Sequence, residues 1–162
     1  MDELAKRDAN GTTPAPPKLK VRIGLRLIQL SATLHVLGGV NDLLMQRLQP
    51  FHEAFLGYSS GAVPSASARL VLALLHALGA ALIGGGVTMW WLAGLMRREA
   101  RQDVLWLVAV LSLCLEGSVG ARMLQLGLVF GYIPLGICLM ALLGVACVAA
   151  TPPAAPGAHA DV

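Results

Sequence analysis

The chain is 162 residues long, 56% hydrophobic and only 13% charged, with a strongly positive mean hydropathy. Soluble domains carry roughly a quarter charged residues, and a soluble core of this size has no room for so much apolar surface, whereas a bilayer does. The net charge of +3 is not gathered into a nucleic-acid-binding patch, because the basic residues flank apolar stretches, where they read as topology determinants and contacts for anionic lipid head groups.

Residues 1–21 are polar and contain Asn10-Gly11, Pro14, Pro16 and Pro17, the composition of a disordered arm. The apolar run that follows starts too late and continues too long for a cleaved signal peptide. A first span is predicted over residues 23–48, with Arg26 and Gln29 snorkelling to one interface and Pro50 closing it. The following loop holds Pro50-Phe51-His52-Glu53-Ala54-Phe55-Leu56, which fits a short amphipathic helix lying on the membrane. Such a segment is either a connector with an interfacial anchor or a lid. The second span, 70–96, holds no formal charge; the third covers 104–130. Gly131-Tyr132-Ile133-Pro134 reads as a tight turn, and the fourth span runs over 134–150. Residues 151–162, rich in proline and alanine, read as a disordered tail. The predicted fold is therefore all-α: one polytopic membrane domain over 22–150, a four-transmembrane-helix bundle with up-down-up-down connections.

Nine of the twelve basic residues fall on one side of this topology and Arg47, Arg69 and Arg122 on the other. The majority side is read as cytoplasmic, which puts both termini inside and the chain in a cell inner membrane. Trp90, Trp91 and Trp106 lie toward that inner interface, and Phe51, Phe55, Tyr58, Phe130 and Tyr132 toward the outer one. Cys114, Cys138 and Cys147 all fall within spans and read as small packing residues, with no disulfide expected. Gly38-Gly39, Gly79-Ala80, Gly84-Gly85-Gly86, Gly117 with Gly120, and Gly127 with Gly131 lie at helical contact spacing and let backbones approach closely.

Six polar or ionisable residues interrupt the apolar spans: His35, Asn41, Asp42, His76, Glu116 and Arg122. Each is costly in hydrocarbon unless paired or wetted, so each is a candidate functional position. Counted from the predicted span ends, Asp42, His76 and Arg122 share one layer about two turns below the outer surface, with His35 and Glu116 nearer the midplane. A guanidinium keeps its charge, so Arg122 needs an acid or water, and Asp42 and Glu116 are the acids to hand. The remaining acid then pairs with a protonated histidine or takes up a proton. His76, Glu116 and Asp42 are thus the candidates for proton-transfer chemistry, and His35, Asn41 and Arg122 for binding. No metal is expected: His35 and His76 differ in depth by more than a turn, which opposes coaxial ligation of one haem, and Met45 and Met123 read as packing. The sequence leaves the cofactor unknown.

Glu116-Gly117-Ser118-Val119-Gly120-Ala121-Arg122 followed by Gly131-Tyr132-Ile133-Pro134, with four spans and a glycine-rich second one, resembles the small four-helix bacterial membrane proteins of the DoxX-like type over residues 23–150. His76 and the Asn41-Asp42 pair lie outside that pattern. The resemblance implies an accessory role, adjacent to quinone-dependent redox complexes. Three functions remain open on sequence grounds. One is an accessory or assembly subunit whose polar layer fixes helix packing. Another is an embedded enzyme or binder acting on a lipophilic molecule such as a quinone or isoprenoid. The third is proton-coupled transport by an oligomer. The expected partners are the lipid bilayer and a membrane protein or further copies of the chain, with no nucleic acid.

Overall fold

The structure is a computed structural model and describes residues 19–59, 61–99 and 103–150. Apart from its last three residues, the arm expected over 1–21 lies outside the described residues, as does the expected tail at 151–162. The described chain is all-α: α1 (Leu19–Leu44), α2 (Pro50–Phe55), α3 (Ser65–Glu99), α4 (Leu105–Ser112), a π-helical turn (Leu113–Gly117), α5 (Ser118–Gln125), a 3-10 turn (Val129–Gly131) and α6 (Tyr132–Ala149). Four stretches are long and apolar enough to cross a membrane: Leu19–Leu44, Ser65–Arg98, Leu105–Gln125 and Val129–Ala149. The protein is a small integral membrane protein of four spans.

The span ends differ from the predicted ones: α6 begins at Tyr132, so Tyr132-Ile133-Pro134, expected as a tight turn, forms its first helical turn, where the missing N–H of Pro134 costs no helix bond. The first helix stops at Leu44, four residues earlier than expected, because Pro50 forces Gln49 into extended backbone and Leu48 turns back to be buried. The third stops at Gln125 rather than near Phe130. Gly127 takes φ +77°, Gly127 N–H donates to Leu124 O at 2.9 Å, and Leu128 N–H donates to Met123 O at 2.9 Å. This is a Schellman cap, which only a residue at ease with positive φ closes readily. The second helix is longer than predicted, starting at Ser65; its 35 residues measure about 52 Å against about 30 Å of hydrocarbon, so it tilts or projects.

Helix α1 is the axis of the bundle, packed along both α3 and α6, while the third span rests chiefly on α6. Close approach is built from glycine. A Cβ on Gly39 would strike Gly79 O and one on Gly79 would lie 2.6 Å from Gly39 O, so α1 and α3 meet backbone to backbone. Gly24 and Gly144 do the same between α1 and α6, with Cβ-to-carbonyl distances of 2.6 and 2.7 Å. Ile28, Ala32, Met89, Val108 and Ala141 pack beside these contacts in a dry core toward the Arg97 end. Toward the α2 end the bundle divides: α5 packs on α6 rather than on α1 or α3, and the gap is bridged at its mouth by Phe51 of α2 against Phe130, ring centroids 5.4 Å apart.

Replacing Gly39 with leucine forces a side chain into a carbonyl that cannot yield, at a cost of about 1–3 kcal/mol or more. The neighbouring Gly38 has nothing within 4 Å of a built Cβ, so Gly38→Leu is expected to stay within about 0.5 kcal/mol of wild type. Denaturation in mixed detergent measures both.

Candidate functional site

The polar residues divide into three places rather than one. At the centre, His35 of α1 is 0% exposed and Glu116 of the π-helical turn is 6% exposed. The His35 Nε2 lies 3.7 Å from Glu116 Oε1 across the bundle axis. Its other ring nitrogen, Nδ1, is 2.8 Å from Ser31 O; a carbonyl only accepts, so Nδ1 carries the hydrogen. Nε2 is thereby the atom turned toward the carboxyl group, and among the described residues it has no hydrogen-bond partner.

The third span is wound to make this meeting possible. Ser118 N–H reaches back five residues to Leu113 O, so the turn holding Glu116 is wider than an α-turn. Such π turns collect at functional sites, because they re-aim a side chain within a continuous helix. Two serines frame the pair, each one turn before the ionisable residue on its own span. Ser31 Oγ donates to Ile137 O of α6 at 3.1 Å, and Ser112 Oγ donates to Val108 O at 2.9 Å. Cys138 of α6 is buried against Gly117, next to Glu116. The spacing Ser31–His35 and Ser112–Glu116, four residues in each case, was a visible signal that both polar faces continue for a further turn; sequence reasoning singled out only the ionisable members.

An isolated charge is unaffordable in this setting, so the pair has two low-cost forms, both net neutral. Either a neutral imidazole faces a carboxylic acid, or an imidazolium faces a carboxylate. They differ by the position of one proton between Nε2 and Oε1. That is a proton-holding arrangement, sealed among packed side chains.

The second place is the α2 end. His76 Nε2–H donates to Met45 O at 2.9 Å, so a histidine of α3 satisfies the first carbonyl beyond the end of α1. Asp42 sits in the last turn of α1 with its Cβ against Gly79, one turn along α3 from His76. Asn41 is exposed and donates from Nδ2 to Asp42 Oδ1 at 3.4 Å. His52 of α2, which sequence reasoning did not single out, joins them: Gln49 N–H donates to its Nδ1 at 3.2 Å, and the charge of Asp42 acts on it.

The third place is the rim of the third span. Arg122 is exposed, in the last turn of α5, and donates from Nη1 to Gln125 Oε1 at 3.2 Å. It does not pair with Asp42 or Glu116. The expected clasp fails because the Gly127 cap ends the helix a turn early, which moves Arg122 to the end of its span. The expected layer of Asp42, His76 and Arg122 therefore splits, Asp42 and His76 staying together with Asn41 at the end of α1 while Arg122 lies apart on the exposed face of α5, and His35 and Glu116 meet below them at the centre. No family model, no curated protein and no solved structure matches the chain.

The histidine of α2 generates a pH prediction. Burial holds the His52 pKa below the ordinary 6.5, against the opposing pull of Asp42. A detached or unfolded α2 then binds the proton more tightly than the docked one, so docking is fully supported above 6.5 and weakens as pH falls through that value. Protonation of Nδ1 also removes the acceptor for Gln49 N–H. Hydrogen exchange over Pro50–Phe55 is expected to accelerate beyond its intrinsic pH trend on acidification, and His52→Gln is expected to abolish the excess.

Proposed function

We propose that the protein is a non-catalytic membrane subunit that assists the assembly or support of a larger membrane complex, with its buried polar groups holding the helices in register. The observation that carries this reading is where those groups are spent. His35 faces Glu116 between the first and third spans, Ser31 bonds Ile137 O between the first and fourth, and His76 bonds Met45 O between the second and first. Trp90 Nε1–H adds a fourth link, to Thr33 Oγ1 at 3.2 Å. Three of these join helix to helix and the His76 bond ties α3 to the chain just past α1; polar bonds between membrane helices are worth roughly 0.6–2 kcal/mol apiece. The three candidate proton-transfer residues, His76, Glu116 and Asp42, do not converge on a common reacting position, which weighs against an embedded enzyme built on them.

The large side chains Leu30, Leu37, Leu74, Val87, Trp91, Leu139 and Leu143 point outward and offer apolar surface to lipid or to partner helices. The resemblance to DoxX-like proteins supports a redox complex as the setting, and the distribution of basic residues supports an inner membrane with both termini cytoplasmic.

Gentle solubilisation of native membranes after cross-linking, followed by affinity purification, is the deciding experiment. A stoichiometric heterologous membrane partner is expected, and it is expected to survive His76→Ala. Recovery of the chain alone, or only with copies of itself, contradicts the proposal.

A further inference from the structure

The third span changes neighbours halfway along. Below Glu116 it belongs to the bundle: the side chain of Leu115 packs directly on Gly85 of α3, and Val108 and Ser112 are buried. Beyond Glu116 the span continues as α5, which leans on α6 and on the 3-10 turn before it through Gly120, Gly131 and Leu135, and leaves its opposite side uncovered. A groove of about 440 Å³ lies along that uncovered side, lined by Ser118, Val119, Arg122, Met123, Leu126 and Leu128. Ser118 spends its hydroxyl on Cys114 O at 2.5 Å, so the groove is apolar except for the guanidinium at its rim.

Two features set the chemistry of the occupant. Arg122 is a permanent cation whose one side-chain partner among the described residues is the neutral amide of Gln125. It stands in the last turn of its helix, close in sequence to the exposed aromatics Phe130 and Tyr132, side chains that favour the depth of lipid head groups. An anion at that depth, attached to hydrocarbon that fills the groove below, meets both halves of the surface. A neutral lipophile such as a quinone leaves the charge unanswered. A zwitterionic lipid brings its own cation beside the guanidinium.

We infer that the groove along the open side of α5 seats one glycerophospholipid with a net negative head group, its phosphate held by Arg122 and one acyl chain lying along Val119, Met123 and Leu126. Arginine suits the task because its planar fork meets two phosphate oxygens at once. The lipid completes the side of α5 that the protein leaves open.

Native mass spectrometry of the full chain released from detergent tests this, with phosphatidylglycerol and phosphatidylcholine of identical acyl chains as probes. Wild type is expected to retain phosphatidylglycerol about tenfold better, the size of one charge-assisted contact. Arg122→Gln is expected to erase the preference and Arg122→Lys to keep part of it. Val119→Phe, which fills the groove and spares the cation, is expected to lower retention of the anionic lipid. Excess glycerol 3-phosphate is expected not to displace it, because the free head group lacks the chain. Equal retention of the two lipids by wild type overturns the inference, as does unchanged preference in Arg122→Gln. Displacement by glycerol 3-phosphate also overturns it, in favour of a simple phosphate site. Should Arg122→Gln fail to fold, Val119→Phe decides: unchanged retention there overturns the inference.

Discussion

Moving an unpaired carboxylate or imidazolium into hydrocarbon costs several kcal/mol, and two helices that each carry one such group have a strong reason to turn them together. His35 and Glu116 meet this requirement across the axis of the bundle, on spans that otherwise touch little. Their meeting constrains much else. It fixes the rotation of α1, which must turn His35 toward the third span, with the Ser31 carbonyl of the same helix taking its Nδ1–H. It fixes the rotation of the third span, which accepts a π turn in order to aim Glu116 inward. It also makes the centre intolerant of misregister, since a slip of one residue on either helix would rotate its own group away and leave the other buried without its partner.

Glycine supplies the complementary constraint. The backbones of α1 and α3 touch at Gly39 and Gly79, and those of α1 and α6 at Gly24 and Gly144. In a bilayer, lipid tails are as apolar as leucine, so helices gain little from hydrophobic contact alone and rely on close packing and polar bonds. The protein uses both, with glycine contacts along the length of α1 and polar bonds at its middle and end. The α2 end is the looser one, where α5 departs from α3 and the contact of Phe51 with Phe130 spans the gap.

Much of the architecture was legible because membrane helices announce themselves. Long runs of leucine, alanine, valine and glycine with few charges have one stable arrangement in a bilayer, and four such runs specify four spans. The depth of the polar residues was less legible, because depth was counted from span ends that the sequence marks weakly. Gly127 carried the information that the third helix stops at Gln125, through its role in a Schellman cap, but glycine is so frequent here that this one did not stand out. The error moved Arg122 a full turn inward and produced a clasp with Asp42 that the structure does not form. The proximity of His35 and Glu116 was within reach, since both fell near the midplane. The π turn was not, because it answers to a partner on another helix rather than to local propensity.

The central claim is that His35 and Glu116 stabilise the bundle through each other. A double-mutant cycle with His35→Phe, Glu116→Leu and the double variant, read by reversible unfolding in mixed detergent, isolates that coupling. The account predicts a favourable interaction of about 1 kcal/mol or more, with the double variant clearly more stable than the sum of the single losses implies. Losses that add to within about 0.3 kcal/mol would show that the two residues act independently and would contradict it.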